Sequence, residues 1–333
     1  MSKLACKIIL LSFLLFVTGI SYATTITDTE NIQKAIDSLP EKGGTIQLKA
    51  GTYLLLAGLH INRSNVTING ERGTLLKLAN NVNQPVILIG TDKRFPTKSD
   101  LIKNIHISNI EIDGNRKQQT SEFDSGKKWI RNNGIDIRTV DNLWINNVDI
   151  YDTRSGGIVI SWKSKRIFIN NSSFHNNYYD GLAFYDSKDI QVNNFLTYEN
   201  SGAGISLDNK LKHVTFSNGS VKDNNDVGIF IRDSEDLKFH NLMIYGNGNH
   251  GVFMSHTTLE NYPGVVIKGT GIRRLFFSGC AFLNNKGYGL LLASPAQHSP
   301  DNTVISSLFS GNEAGGIKHS NTSIYTSGNV HHK

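Results

Sequence analysis

Cysteine is nearly absent from this 333-residue chain. Its two cysteines are Cys6, close to the start, and Cys280, far downstream, so a disulfide framework is excluded. Cys280 sits in Phe277-Ser278-Gly279-Cys280-Ala281-Phe282, a setting for a small buried side chain rather than a reactive thiol. Long apolar runs are equally scarce. The one candidate, residues 8–20, is short of the roughly 20 residues that a membrane-crossing helix needs. It follows Lys3 and Lys7 and precedes Ser21-Tyr22-Ala23, so residues 1–23 read as an export signal and Thr24 as the first residue of the mature chain. The expectation is a secreted or periplasmic monomer with one domain, residues 24–333, and no membrane span after signal removal. A strong charge of one sign is also missing. The formal net charge is +6, and losing Lys3 and Lys7 takes it to +4. That is too weak and too evenly spread for a nucleic-acid surface. Outside the cytoplasm, a mildly basic surface favours acidic partners such as uronate polysaccharides.

What the chain does have is a period. Gly134-Ile135, Gly157-Ile158, Gly181-Leu182, Gly204-Ile205, Gly228-Ile229 and Gly251-Val252 recur at intervals of 23, 24, 23, 24 and 23 residues. Gly289-Leu290 and Gly316-Ile317 follow at wider spacings. A repeat this short marks a solenoid in which one repeat is one coil. Ten residues before the glycines stand Asn147, Asn171, Asn194, Asn218 and Asn241, with Gly279 in the corresponding later place. Four residues before stand Asn177, Asn200, Asn224, Asn247, Asn285 and Asn312. Asn tolerates left-handed backbone and bonds its own chain in turns, so these are corner residues whose amides can form ladders between coils. Between the corners run alternating segments such as Ile167-Phe168-Ile169 and Leu237-Lys238-Phe239. Period two means strands with one buried face, and no room is left for a helix. The fold class is all-β, a single-stranded parallel β-helix.

Residues 24–60 read as its N-terminal cap and first strands. Residues 27–39 predict a short helix with Ile32, Ala35, Ile36 and Leu39 on one face and Asp28 or Thr29 as cap. Such a helix covers the open apolar end that a solenoid leaves. The series Asp28-Thr29, Ile32-Gln33, Ala35-Ile36, Gly43-Gly44-Thr45-Ile46 and Ala50-Gly51-Thr52-Tyr53 resembles the opening of the pectate-lyase-like superfamily. Ile110-Glu111-Ile112-Asp113-Gly114-Asn115 is similar to its early coils. The resemblance implies a right-handed parallel β-helix. It implies an activity drawn from polygalacturonases, pectate and alginate lyases, mannuronan epimerases or phage tailspike enzymes. Asn133-Gly134-Ile135-Asp136 resembles the first polygalacturonase motif, but Asn133 stands where that motif has an acid.

Counting from each glycine, position +1 points inward and positions +2 and +4 outward. The +4 row contains Arg138, Ser161, Tyr185, Asp208, Arg232 and Ser255. Tyr185, Asp208 and Arg232 should therefore stack on successive coils about 4.8 Å apart. The +2 row contains Asp136, Phe230 and Phe253, the phenylalanines offering a sugar platform. Asp180, Asp226 and His250 fall at the corner before the strand. Removing a uronate C5 proton needs a cation on the carboxylate, a base and an acid. Arg232 suits the first task, Tyr185 or His250 the proton transfers, and Asp208 the orientation of Arg232. The pairs Asp180 with Asp226 and Asp186 with Asp233 suit a hydrolase instead. No cofactor is demanded, and Ca²⁺ held by Asp208 and Asp233 is an open option. Two polar insertions, residues 115–133 with Trp129 and Arg131 and residues 256–271 with His256, Tyr262, Pro263 and Lys268, should project from one face and contact substrate. The reading is an extracytoplasmic lyase or epimerase acting on an acidic polysaccharide. A non-catalytic carbohydrate-binding or adhesion β-helix and an inverting glycosidase are the alternatives.

Overall fold

A computed structural model describes residues 23–332, apart from residue 30 and residues 258–259, 263–264, 268, 295–297 and 320–323. The expected signal lies outside the described residues except for Ala23, which opens the strand Ala23–Ile26. Pro263 and Lys268 also lie outside them. Among the described residues no helix is long and apolar enough to cross a membrane.

The chain winds as a parallel β-solenoid. The short post-glycine strands form one ten-stranded sheet, and most of the others form a second sheet wrapping the remaining sides of each coil. The strands Ile135–Arg138, Ile158–Ser161, Leu182–Tyr185, Ile205–Asp208, Ile229–Arg232 and Val252–Ser255 lie side by side in the first sheet. Their pairing is parallel and in register, glycine step against glycine step. The +1 residues Ile135, Ile158, Leu182, Ile205, Ile229 and Val252 are all fully buried in one column. The aromatic part of the core stacks in the same way. Phe216 lies on Phe239 at 5.6 Å and Phe239 on Phe277 at 4.3 Å. Cys280 is buried beside them, and burial pushes its thiol up to about 11.

The asparagines occupy the two corners. Asn147, Asn171, Asn194, Asn218 and Asn241 hold φ between 52° and 54°, and Gly279 takes the same left-handed turn at 63°. Their exposed amides bond from coil to coil, as from Asn194 Nδ2 to Asn171 Oδ1 at 2.7 Å. The second series lies inside. Asn177, Asn200, Asn224, Asn247 and Asn285 are essentially inaccessible. Each Nδ2 donates to the next Oδ1 at 2.8–3.0 Å, ending on Asn312. That ladder dictates the repeated glycine. A Cβ at Gly204 would sit 2.7 Å from Asn224 Nδ2 and 2.9 Å from the Gly228 carbonyl oxygen.

A helix spans Asn31–Asp37, shorter than expected from residues 27–39. Ile32, Ile36 and Leu39 are buried and Ala35 packs against the same core. The strands Gly44–Leu48 and Gly51–Leu55 follow, and Leu56 is exposed beyond the second.

Candidate functional site

The outer face of the ten-stranded sheet is not evenly exposed, as the alternation predicts. Asp136 and Arg138 are each only 4% exposed, and Ala183, Ser206 and Asp208 are also buried. At Asp136 the cover comes from the first insertion. Residues 121–131 fold back over the sheet as a narrow hairpin, bridged between Phe123 and Arg131. Asp124 Oδ1 accepts from the amides of Gly126 and Lys127 at 2.8 Å, and buried Ile130 anchors the return. Between this wall and the sheet lies a cleft of about 640 Å³. Its floor carries Asp136, Arg138, Asp180 and Tyr185, and Trp129, Arg131, Trp162 and Tyr179 also line it.

The floor is electrostatically unusual. Asp136 Oδ2 accepts from Asn133 Nδ2 at 2.8 Å, while its buried Oδ1 has no hydrogen-bond partner. Burial pushes this carboxyl up to about 6, against the opposing pull of Arg138 and Asn133. Asp180 also lies at about 6. Burial is again the main cause, the Ala203 amide opposes it through a 2.8 Å bond, and the Asp226 charge adds to it. Burial and the charges of Asp180 and Asp208 hold the Tyr185 phenol up at about 12, so it keeps its proton. Arg131 is the accessible cation. Its guanidinium lies over the Tyr179 ring at 5.3 Å and reaches Glu122 at 3.4 Å, and its side chain is 45% exposed. Arg138 is committed elsewhere: its Nε and Nη2 donate to the carbonyls of Thr91 and Lys93 at 3.0 and 2.7 Å.

The cleft gathers seven of the residues singled out from sequence: Asp136, Arg138, Tyr185, Asp180, Asp186, Trp129 and Arg131. Six others lie farther along the same face, outside its lining. Tyr185, Asp208 and Arg232 do stack on successive strands as expected. Arg232, however, holds both Asp208 oxygens, with Nε at 3.0 Å and Nη2 at 2.6 Å. The pair is not the exposed one that alternation implies, because Asp208 is only 8% accessible. Phe230 and Phe253 form a half-buried pair 6.0 Å apart. His250 lies 5.8 Å from Phe253, and its Nδ1 accepts from the Tyr288 amide at 2.9 Å. That bond places the imidazole proton on Nε2, and burial lowers the ring's affinity for a second one. Asp226 is exposed and accepts from Asn249 at 3.3 Å.

The Ca²⁺ option does not fit these side chains. Both Asp208 oxygens accept from Arg232, and both Asp233 oxygens accept from backbone amides, of Gly271 at 2.9 Å and Thr257 at 3.0 Å. Of the second insertion, His256 stacks on His298 at 4.9 Å, and Glu260–Tyr262 pairs with Val265–Ile267 as a hairpin. Tyr179 and Trp162 are lining residues that sequence reasoning did not select. Arg131 was legible as a cation beside an aromatic in an insertion; Tyr179 and Trp162 carry no such signal.

Residues 87–242 match a family model described as a right-handed β-helix region. No curated protein sequence matches. Among solved structures, the chain is similar to the A-module of the mannuronan C-5 epimerase AlgE6 of Azotobacter vinelandii. The two are 16% identical with a TM-score of 0.58, covering 92% of this chain and 95% of that one. It is similar to the periplasmic alginate epimerase AlgG at 11% identity and a TM-score of 0.52, covering 94% and 85%. It is also similar to the enzymatically active domain of tailspike protein 2 from bacteriophage CBA120, at 12% identity and a TM-score of 0.61. That match covers 88% of this chain and 44% of the phage protein. At these identities the likeness is one of fold.

Proposed function

We propose, starting from the chain's fit to the pectate-lyase-like β-helix superfamily, that this protein binds an anionic polysaccharide in the Asp136–Tyr185 cleft and abstracts the C5 proton of a uronate. The observation that carries this reading is the company that Asp180 keeps. An acid at about 6 shares the cleft with a phenol that stays protonated and a cation that is open to solvent. Arg131 neutralises the substrate carboxylate, a task for which its planar fork is suited. Asp180, ionised above about pH 6, takes the C5 proton. For elimination, the electron pair forms the C4–C5 double bond, the C4–O bond breaks, and the leaving oxygen takes the Tyr185 proton. For epimerisation the C5 carbanion instead takes the Tyr185 proton on its opposite face. Trp129 and Trp162 supply apolar surface for ring faces.

The location that suits such a substrate is outside the cytoplasm, with residues 1–23 removed on export. The helix Asn31–Asp37 acts as the cap of a right-handed coil stack, and its two buried isoleucines cover the first turn.

Incubation with a panel of uronate polymers tests the reading, by absorbance of unsaturated products, by NMR of C5 configuration and by reducing ends. The pH profile separates the chemistries. Proton abstraction by Asp180 gives a rate that rises through pH 6 to a plateau, because Tyr185 does not ionise below about 12. A hydrolase using Asp136 and Asp180 as acid and base gives a narrow bell centred near pH 6, since each must hold the opposite protonation state. Reducing ends without unsaturation, together with that bell, would overturn the elimination and epimerisation reading.

A further inference from the structure

We propose that Asp92, outside the cleft, is a positioning residue that locks the aromatic wall in place and so sets how tightly a sugar ring is gripped. This rests on the polysaccharide reading above. Asp92 uses both its backbone and its side chain on the wall. Its carbonyl accepts from Trp129 Nε1 at 2.8 Å, and its carboxylate pairs with the Lys127 ammonium. It thus holds two residues of the insertion, one on each side of Lys128. The segment that carries Asp92 is itself fastened from below. Arg138, on the cleft floor, donates to the carbonyls of Thr91 and Lys93, the neighbours of Asp92 on either side. Floor, segment and wall therefore form one connected unit: Arg138 to residues 91–93, then Asp92 to Lys127 and Trp129.

The arrangement has a chemical purpose. Trp129 is 41% exposed, so its ring is available to a ligand, yet its indole N–H is already satisfied. A ring held this way offers a fixed apolar surface, and rigidity lowers the entropic cost of stacking a sugar on it. Tyr179 closes the opposite end of the same unit, where Glu122 accepts from its hydroxyl at 2.7 Å and also reaches Arg131. Releasing Asp92 should loosen Trp129 without touching Asp180, Tyr185 or Arg131. Binding should weaken while chemistry in the bound complex proceeds.

The test uses the full-length protein carrying Asp92→Asn and, from the other side of the ion pair, Lys127→Met. In a Trp144→Phe/Trp162→Phe background, Trp129 is the sole tryptophan. Its emission should move to longer wavelength and become more quenchable by acrylamide in either variant, with the double variant no different from the singles. Unchanged emission and quenching would overturn the proposal whatever the substrate. In the otherwise native protein, KM for the polyuronate that the protein turns over should rise about tenfold with kcat within about twofold, an affinity loss of about 1.4 kcal/mol. An unchanged KM, or a fall in kcat alone, would also overturn it. If no polyuronate is bound by the native protein, the polysaccharide reading fails separately and the emission arm still decides the fate of the clamp.

Discussion

Asp136 holds an oxygen that bonds to nothing in a place that water hardly reaches, and this has an energetic sign. Its folded-state value, about 6, lies above the ordinary 3.8. Stability linked to it is therefore fully present below about pH 4 and is lost as pH rises through 6. Asp136→Asn should raise the melting temperature at pH 7.5, on the order of 3 kcal/mol at most, and do little at pH 4. It should also lower activity, as expected where a polar group in the cleft is kept at the expense of stability. Calorimetry at the two pH values checks the sign. Arg232→Ala is expected to behave in the opposite way. It strands a carboxylate that is 8% exposed, so it should cost roughly 2 kcal/mol in a denaturant titration, more than a surface pair would. Turnover in the cleft should be largely kept. These two residues also mark the limit of what the sequence can tell. Both were legible as outward-pointing by alternation, and they do leave the core. Alternation is blind to a hairpin from another part of the chain, so it could not show that outward here means into a cleft at Asp136.

At the scale of the coil, glycine and asparagine were read correctly because each answers a local backbone demand that leaves its mark at a fixed spacing. The corner residues Asn171 and Asn194 need left-handed backbone, and Gly204 must admit the neighbouring amide and carbonyl. The wall was not legible for the converse reason. Residues 121–131 belong to no repeat, and their path depends on Asp124, Ile130 and contacts with residues 83 and 92. The two ladders should respond differently to the same substitution. Asn200→Ala removes bonds to Asn224, Thr197 and the Phe174 carbonyl and leaves Asn177 donors unsatisfied. A loss of about 3 kcal/mol or more is expected. Asn194→Ala, in an exposed ladder, should cost about 1–2 kcal/mol, for losing the amide whose hydrogen bonding makes left-handed backbone tolerable. Asn194→Gly should recover part of that, as Gly279 does naturally. Equal losses at positions 194 and 200 in urea titrations would show that the buried ladder has no special weight.

For the whole molecule, the buried asparagines work as a measuring rule. An Oδ1 on one coil meets an Nδ2 on the coil before it, and the pattern repeats from Asn177 to Asn312. Between Asn247 and Asn285 the chain makes its long excursion and still returns to the same amide contact at 2.9 Å. The rule thus fixes where a coil must close and leaves free how far the chain travels in between. Genetically, such a protein is divisible into whole coils. A second copy of residues 225–247 inserted after Asn247 would present the correct amide at both of its ends. The lengthened chain should fold, melt in one transition and keep the cleft unaltered, because none of the cleft-lining residues lies beyond Asn209. Growth and shrinkage by unit coils at the C-terminal side would then change the protein's reach along a polymer without any redesign of its chemistry.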